Sequence, residues 1–224
     1  MSKLYLVPTP IGNLEDITHR ALRILEDVDL ILAEDTRKTR ILLKKYKITK
    51  KTLSHHKFNE HRFVEQLSDR ILSGEVMALV SEAGTPGISD PGYLLIRECI
   101  RKRVDVECLP GPTAFTPALV ASGLPCDRFV FEGFLPQKKG RQKRLNELKE
   151  EPRTIILYES PHRIRKCLQQ LTDILGENRP ACLARELSKI HEEFTRGTLG
   201  EILLKLGDDD PKGECIILVG GRVD

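Results

Sequence analysis

The chain has few aromatic residues, 5% of its length with no tryptophan, and so little material for the interleaved stacking platforms of typical single-strand nucleic-acid readers. It lacks any apolar run near the roughly eighteen residues that a membrane-crossing helix needs. Six cysteines (Cys99, Cys108, Cys126, Cys167, Cys182 and Cys215) are scattered singly with no C-x-x-C pair, most of them inside apolar runs. Buried free thiols in a reducing cytoplasm are expected, ahead of zinc ligands or disulfides. Neither G-x-G-x-x-G after a strand nor G-x-x-x-x-G-K-[ST] is present, which disfavours an enzyme of dinucleotides or triphosphates. Charge of one sign does not dominate: the formal net charge is +3, so its distribution says more than its sum.

What is present is a composition of 40% hydrophobic and 31% charged residues over 224 positions, enough for a soluble globular chain with a real core. The opening "MSKLYLVPTPIGN" carries one basic residue and a short apolar stretch stopped by proline, which reads as a first strand rather than a signal peptide. In the first half, apolar runs at residues 4–7, 30–33, 52–55, 76–81 and 104–109 predict strands. Between them lie "THRALRILEDV", "RKTRILLKKY", "NEHRFVEQLSDRILSG" and "YLLIRECIRKR", whose apolar residues recur at helical steps. This alternation predicts parallel βαβ units with right-handed crossovers, hence an open α/β sheet over residues 1–112. In the second half, strands are expected at 129–132, 154–158, 181–185, 193–197 and 214–220, with long helices over "KKGRQKRLNELKEE" and "PHRIRKCLQQLTDIL". Residues 113–224 therefore read as a second, mixed α/β domain.

In an open parallel sheet, ligands bind beyond the carboxyl ends of the strands. The segments there are "PTPIGNLED", "EDTRKT", "HHKFNEH", "EAGTPGISDPG" and "PGPTA". The fourth belongs to an unusually long connection, "SEAGTPGISDPG", with three glycines, two prolines and two acids. Its prolines remove amide donors, and Glu82 and Asp90 add negative charge, so it is a poor cradle for phosphate. Two readings stand: a long surface loop, or one wall of a shaped pocket. Glu15, Asp16, Glu34, Asp35, Glu82 and Asp90 collect on the same rim, with Glu159 and Glu186 added by the second domain. Such acids serve as helix caps, or they suit a cationic, phosphate-free ligand such as S-adenosylmethionine. The stretch "KKGRQKR" at 138–144 places five bases in seven residues, dense enough to suggest contact with a phosphate backbone. His55, His56, Glu60 and His61 resemble metal ligands in type, but adjacent histidines on a strand point to opposite faces, so no metal is expected.

Taken in order, "VPTPIGNLEDITHRALRIL", "AEDTRKTRILL", "VSEAGTPGISDPG", "LPGPTA", "YESPHRI" and "ARELSKIHEEFTRGTL" closely resemble the ribosomal RNA small subunit methyltransferase I family, from about residue 3 onward. That family looks like a branch of the tetrapyrrole methylase fold: two α/β domains, S-adenosylmethionine in the cleft between them, and commonly a homodimer. The resemblance implies a cytoplasmic enzyme that 2′-O-methylates a cytidine in the decoding region of 16S rRNA, with the small ribosomal subunit as partner and neither metal nor membrane involved. Many members extend beyond the "GECIILVGG" strand, whereas this sequence stops at Asp224. The resemblance places cofactor contacts at Gly84, Thr85, Pro86, Gly87, Ile88 and Ser89, at Pro110, Gly111, Pro112, Thr113 and Ala114, and around Tyr158, Ala184 and Arg185. Substrate is expected at Pro10, Gly12 and Asn13, with Arg20, Arg37, Arg40, Lys138, Lys139 and Arg141 positioning phosphates. Asp35 or Glu82 is the candidate general base for the 2′-hydroxyl, Asp35 slightly ahead. The rival readings are a small-molecule methylase of the same fold, which usually carries "GxGPGDP" after the first strand where this chain has "VPTPIGN", and a non-enzymatic RNA-binding factor.

Overall fold

A computed structural model describes residues 2–56, 60–209 and 211–222. The chain divides into two compact units, Met1–Thr113 and Ala114–Asp224.

In the first unit, β1 (Lys3–Leu6), β2 (Leu30–Ala33), β3 (Thr52–Ser54), β4 (Val76–Val80) and β5 (Asp105–Cys108) form one sheet in the order β3-β2-β4-β1-β5. Every pairing in it is parallel. The helices α1 (His19–Asp27), α2 (Thr36–Lys45), α3 (Glu60–Leu72) and α4 (Tyr93–Arg101) connect successive strands. The beginning expected for α3, Asn59, lies outside the described residues. Strand β2 is buried along its whole length, and its residues alternate between two cores. Ile31 and Ala33 pack in one with Ala78 and Val80, and Leu30 and Leu32 in the other with Met77 and Leu79. A strand covered by helices on both faces must be apolar throughout, which is why this half reads as uninterrupted apolar runs.

The second unit holds β6 (Phe129–Phe134), β7 (Thr154–Glu159), β8 (Pro180–Arg185), β9 (Glu193–Thr198) and β10 (Cys215–Val219) in the order β6-β7-β10-β8-β9. Strands β6 and β7 are parallel and the other pairs antiparallel, so the sheet is mixed. One face carries Ile155, Leu157, Leu183, Ile217 and Val219 against α6 (Arg141–Leu148), α7 (Ile164–Leu175) and α8 (Leu199–Leu206). The helix expected over residues 138–151 is shorter than the sequence pattern: Gly140, at φ 87°, sits in the left-handed region and starts α6 one residue later. Two helices carry no expectation from sequence, α5 (Phe115–Ser122) and α8. All six cysteines lie outside disulfides, with Cys99, Cys167, Cys182 and Cys215 buried but Cys108 and Cys126 exposed. No helix among the described residues is long and apolar enough to cross a membrane.

Candidate active site

The carboxyl rim of the parallel sheet is built by three loops tied to one another. After β1, Thr9 exchanges backbone hydrogen bonds with Gly84, each of 2.9 Å, so the first loop and the long loop after β4 form a two-residue antiparallel bridge. Thr85 Oγ1 then donates to the Pro112 carbonyl at 3.0 Å and lies 2.7 Å from Thr113 Oγ1. Gly111 closes the third contact: a Cβ there would stand 2.7 Å from the Pro8 Cβ, so no larger residue fits without moving the first loop. Gly84, Thr85, Pro112 and Thr113, expected at the cofactor, are thus assembled in one place. Pro86 is buried, Gly87 partly so, and Ile88 and Ser89 are exposed beside them, as is Pro110. Ser89 holds a left-handed φ of 64° without glycine's freedom, the kind of backbone strain that functional loops retain. The far end of this loop is fastened by Glu60, whose buried carboxylate accepts the Gly92 and Leu94 amides at 3.0 and 2.9 Å.

Carboxylates crowd the same rim. Burial, with Glu34 and Glu82 nearby, pushes the Asp90 carboxyl up to about 6, although its hydrogen bond with Ser81 opposes this. Burial also raises Glu34, helped by Glu82. Glu82 accepts from Lys38 Nζ of α2. A cleft of about 240 Å³ opens between the first loop and α2, lined by Thr9, Pro10, Leu14, Lys38, Thr39, Ile41, Leu42, Ser81 and Glu82. Pro10, an expected substrate residue, is among those that line it. Gly12 and Asn13 are exposed next to it, and the Asn13 side chain accepts the Glu15 amide to start a 3₁₀ turn, Leu14–Asp16.

Several expected site residues have other work. Asp35 is the N-cap of α2: it accepts the Arg37 amide at 2.8 Å, and its two oxygens take the Arg37 guanidinium at 3.1 and 2.8 Å. These bonds hold its carboxyl down to about 2, well below the usual aspartate range, which makes it a weak proton acceptor. The same pairing occupies Arg37. Arg20 is engaged by Glu107 of β5, beside the Lys3 pairs with Asp105 and Glu107, while Arg40 stays exposed on α2. Arg141 overturns its expectation as a phosphate contact. It is 9% exposed, 3.3 Å from the buried Glu159, and it also donates to Gln170 at 2.8 Å and to the Pro136 carbonyl at 3.2 Å. A charge buried so completely needs these partners and has no face left for solvent. Lys138 and Lys139 are exposed, as a phosphate contact requires.

In the second unit, Tyr158 and Ala184 flank Ile216 in register on the sheet face turned away from α6–α8. Arg185, the next residue, must point to the opposite face, and it pairs with Glu193 at 2.9 Å. Ala114 stands at the N-cap of α5 without a capping side chain. Sequence reasoning found no aromatic platform, yet Tyr158 meets Phe131 at 5.1 Å and Phe134 at 5.6 Å edge-on, and Phe115 lies 5.0 Å from Phe131 and 6.0 Å from Phe129. A β-bulge between Phe131 and Gly133 returns Phe134 to the face of Phe131. The signal in "FVFEGF" is period-two aromatics interrupted by one residue. Among the described residues no group of three His, Cys, Asp or Glu side chains gathers as for a metal ion. His55 is buried 3.8 Å from Glu60.

This geometry has relatives. Residues 3–203 match the family of tetrapyrrole (corrin/porphyrin) methylases. The ribosomal RNA small subunit methyltransferase I of Thermotoga maritima is 46% identical over 222 residues, covering 99% of this chain and 100% of that protein. Its namesake from Vibrio cholerae is 51% identical over 99% of this chain and 78% of its own length. Among solved structures, a uroporphyrin-III C-methyltransferase from Thermus thermophilus complexed with S-adenyl homocysteine superposes with a TM-score of 0.66 at 20% identity, covering 97% of each chain. The stitched glycine-proline loops on the parallel sheet, the family match over most of the chain and the near full-length identity lead to one conclusion: the chain belongs to the tetrapyrrole methylase family and, within it, to the ribosomal RNA small subunit methyltransferases I.

Proposed function

We propose that this chain is an S-adenosylmethionine-dependent rRNA methyltransferase that acts in the cytoplasm, as a homodimer, on the 2′-hydroxyl of a cytidine in the decoding region of 16S rRNA. The observation that carries the reading is the rim of the parallel sheet, where Gly84, Thr85, Gly111, Pro112 and Thr113 are locked together beside three carboxylates, Glu34, Glu82 and Asp90. Like charges held this close favour a cation and repel phosphate. S-adenosylmethionine fits that donor set, and when bound it supplies a methyl group on a sulfonium that leaves readily. Backbone and apolar contacts from residues 84–89 and 110–113 would hold it.

The chain's own task is then to place the ribose oxygen in line with the methyl group, roughly 3–3.5 Å away, and to receive its proton. Of the rim acids Asp90 is the best suited acceptor. Its carboxyl is ionised above about pH 6 and more basic than an ordinary aspartate, whereas Asp35 is held down to about 2. Exposed Lys138 and Lys139 supply phosphate contacts. The test is incubation of the protein with labelled S-adenosylmethionine and undermethylated small subunits, followed by nucleoside mapping. Label recovered as 2′-O-methylcytidine is the expected result; label in a base, or in no RNA, sinks the assignment.

A further inference from the structure

The cleft beside α2 gives the same reaction a way to choose its nucleotide. We infer that it receives the pyrimidine ring of the target nucleotide and that the Lys38–Glu82 pair reads the Watson–Crick edge of cytosine; the inference rests on the cytidine reading above.

Size, walls and polarity each point there. At about 240 Å³ the cleft is smaller than the 300–1,000 Å³ typical of sites for whole small ligands, which suits one ring. Its apolar lining comes from two elements, Pro10 and Leu14 of the first loop and Ile41 and Leu42 of α2. Ile41 is 69% exposed and Leu14 37%, large apolar side chains left wet at a cavity. An unstacked base can be held between apolar side chains, and RNA is read in sequence mainly where its bases are splayed out.

Lys38 and Glu82 are the charged groups of that lining, and they are joined to one another. A carboxylate has more acceptor sites than one ammonium fills. Side by side, the two groups present an acceptor and a donor. Cytosine offers the complement, with its N4 amine donating to Glu82 and its N3 accepting from Lys38. Uracil inverts both positions and would set its O4 against the carboxylate. Ser81 also lines the cleft and opens the long loop that carries Asp90, the proposed proton acceptor.

The test compares kcat/KM for small subunits carrying cytidine or uridine at the mapped position, using full-length protein and labelled S-adenosylmethionine. Wild type should prefer cytidine by at least about tenfold, and Glu82→Gln should reduce the preference to within about threefold, since the amide can donate to O4. Equal loss on both substrates with the preference intact would make Glu82 a proton-transfer group and overturn the proposal. A second variant, Ile41→Trp, alters an exposed position and should fill the cleft. It should raise KM for the subunit about tenfold while S-adenosylmethionine affinity and the unfolding midpoint stay unchanged; an unchanged KM also overturns the proposal. If wild type labels no cytidine, both readings fail. If it labels cytidine and Glu82→Gln keeps the preference, only the base pocket fails.

Discussion

Asp90→Asn is expected to make the protein more stable at neutral pH while abolishing most of its activity. In the folded chain burial and the neighbouring Glu34 and Glu82 hold the Asp90 carboxyl up to about 6, against an ordinary 3.8. A difference of about two units corresponds to about 3 kcal/mol, which partial exposure to solvent reduces to about 1–2 kcal/mol. Because the folded state binds this proton more tightly than the unfolded one, the ionised carboxylate costs stability above about pH 6. The cost shrinks as pH falls from there towards 3.8, and below that it is gone. Asparagine carries no charge at any pH and keeps an oxygen for Ser81. Thermal unfolding of both proteins should therefore show the variant melting about 2–6 °C higher near pH 8, with the gap closing near pH 4. Single-turnover methylation should fall by about 10²–10⁴-fold and lose its rise through pH 6. A variant no more stable than wild type near pH 8, or one whose advantage grows on acidification, refutes the reasoning.

Arg141→Ala leaves Glu159 buried with one guanidinium fewer and should cost about 3 kcal/mol in urea unfolding. The double variant Lys138→Ala, Lys139→Ala should instead unfold within about 0.5 kcal/mol of wild type. Its RNA affinity should fall, with the slope of log affinity against log salt reduced by about 1–2. Gly111→Ala drives a methyl group into Pro8 and should cost about 1–3 kcal/mol, with weaker S-adenosylmethionine binding by calorimetry.

The first sheet was legible in the sequence because burial on two faces leaves a one-dimensional trace: β2 spans residues 30–33 as expected, and the others shift by a residue or two at their ends. Of the helices, α5 left no such trace: Phe115–Ser122 is apolar nearly all round and contains Pro117, so it shows no clear stripe. The short α8 does carry one, with Leu199, Ile202, Leu203 and Leu206 turned to the core behind a Thr198–Glu201 capping box, and those are its signals in the sequence. The rim was readable because glycine and proline mark unusual backbone wherever they occur. Charged residues were read less well. Arg141 sits in a basic run that looks the same whether solvated or buried, and what buries it is Glu159, 18 positions further along the chain. Asp35 likewise shows its role only through the Arg37 amide and guanidinium that it accepts.

The carboxylate of Glu60 has a consequence for what the protein can ignore. A helix that begins behind a glycine-rich loop ordinarily offers its first amides to phosphate. In α4 those of Gly92 and Leu94 are already donated to Glu60, so the position is filled by an anion tethered to the chain itself. Nucleotides and free phosphate, abundant competitors in solution, would have to displace a buried side chain to land there. The fold thereby insulates the rim from the commonest anionic metabolites.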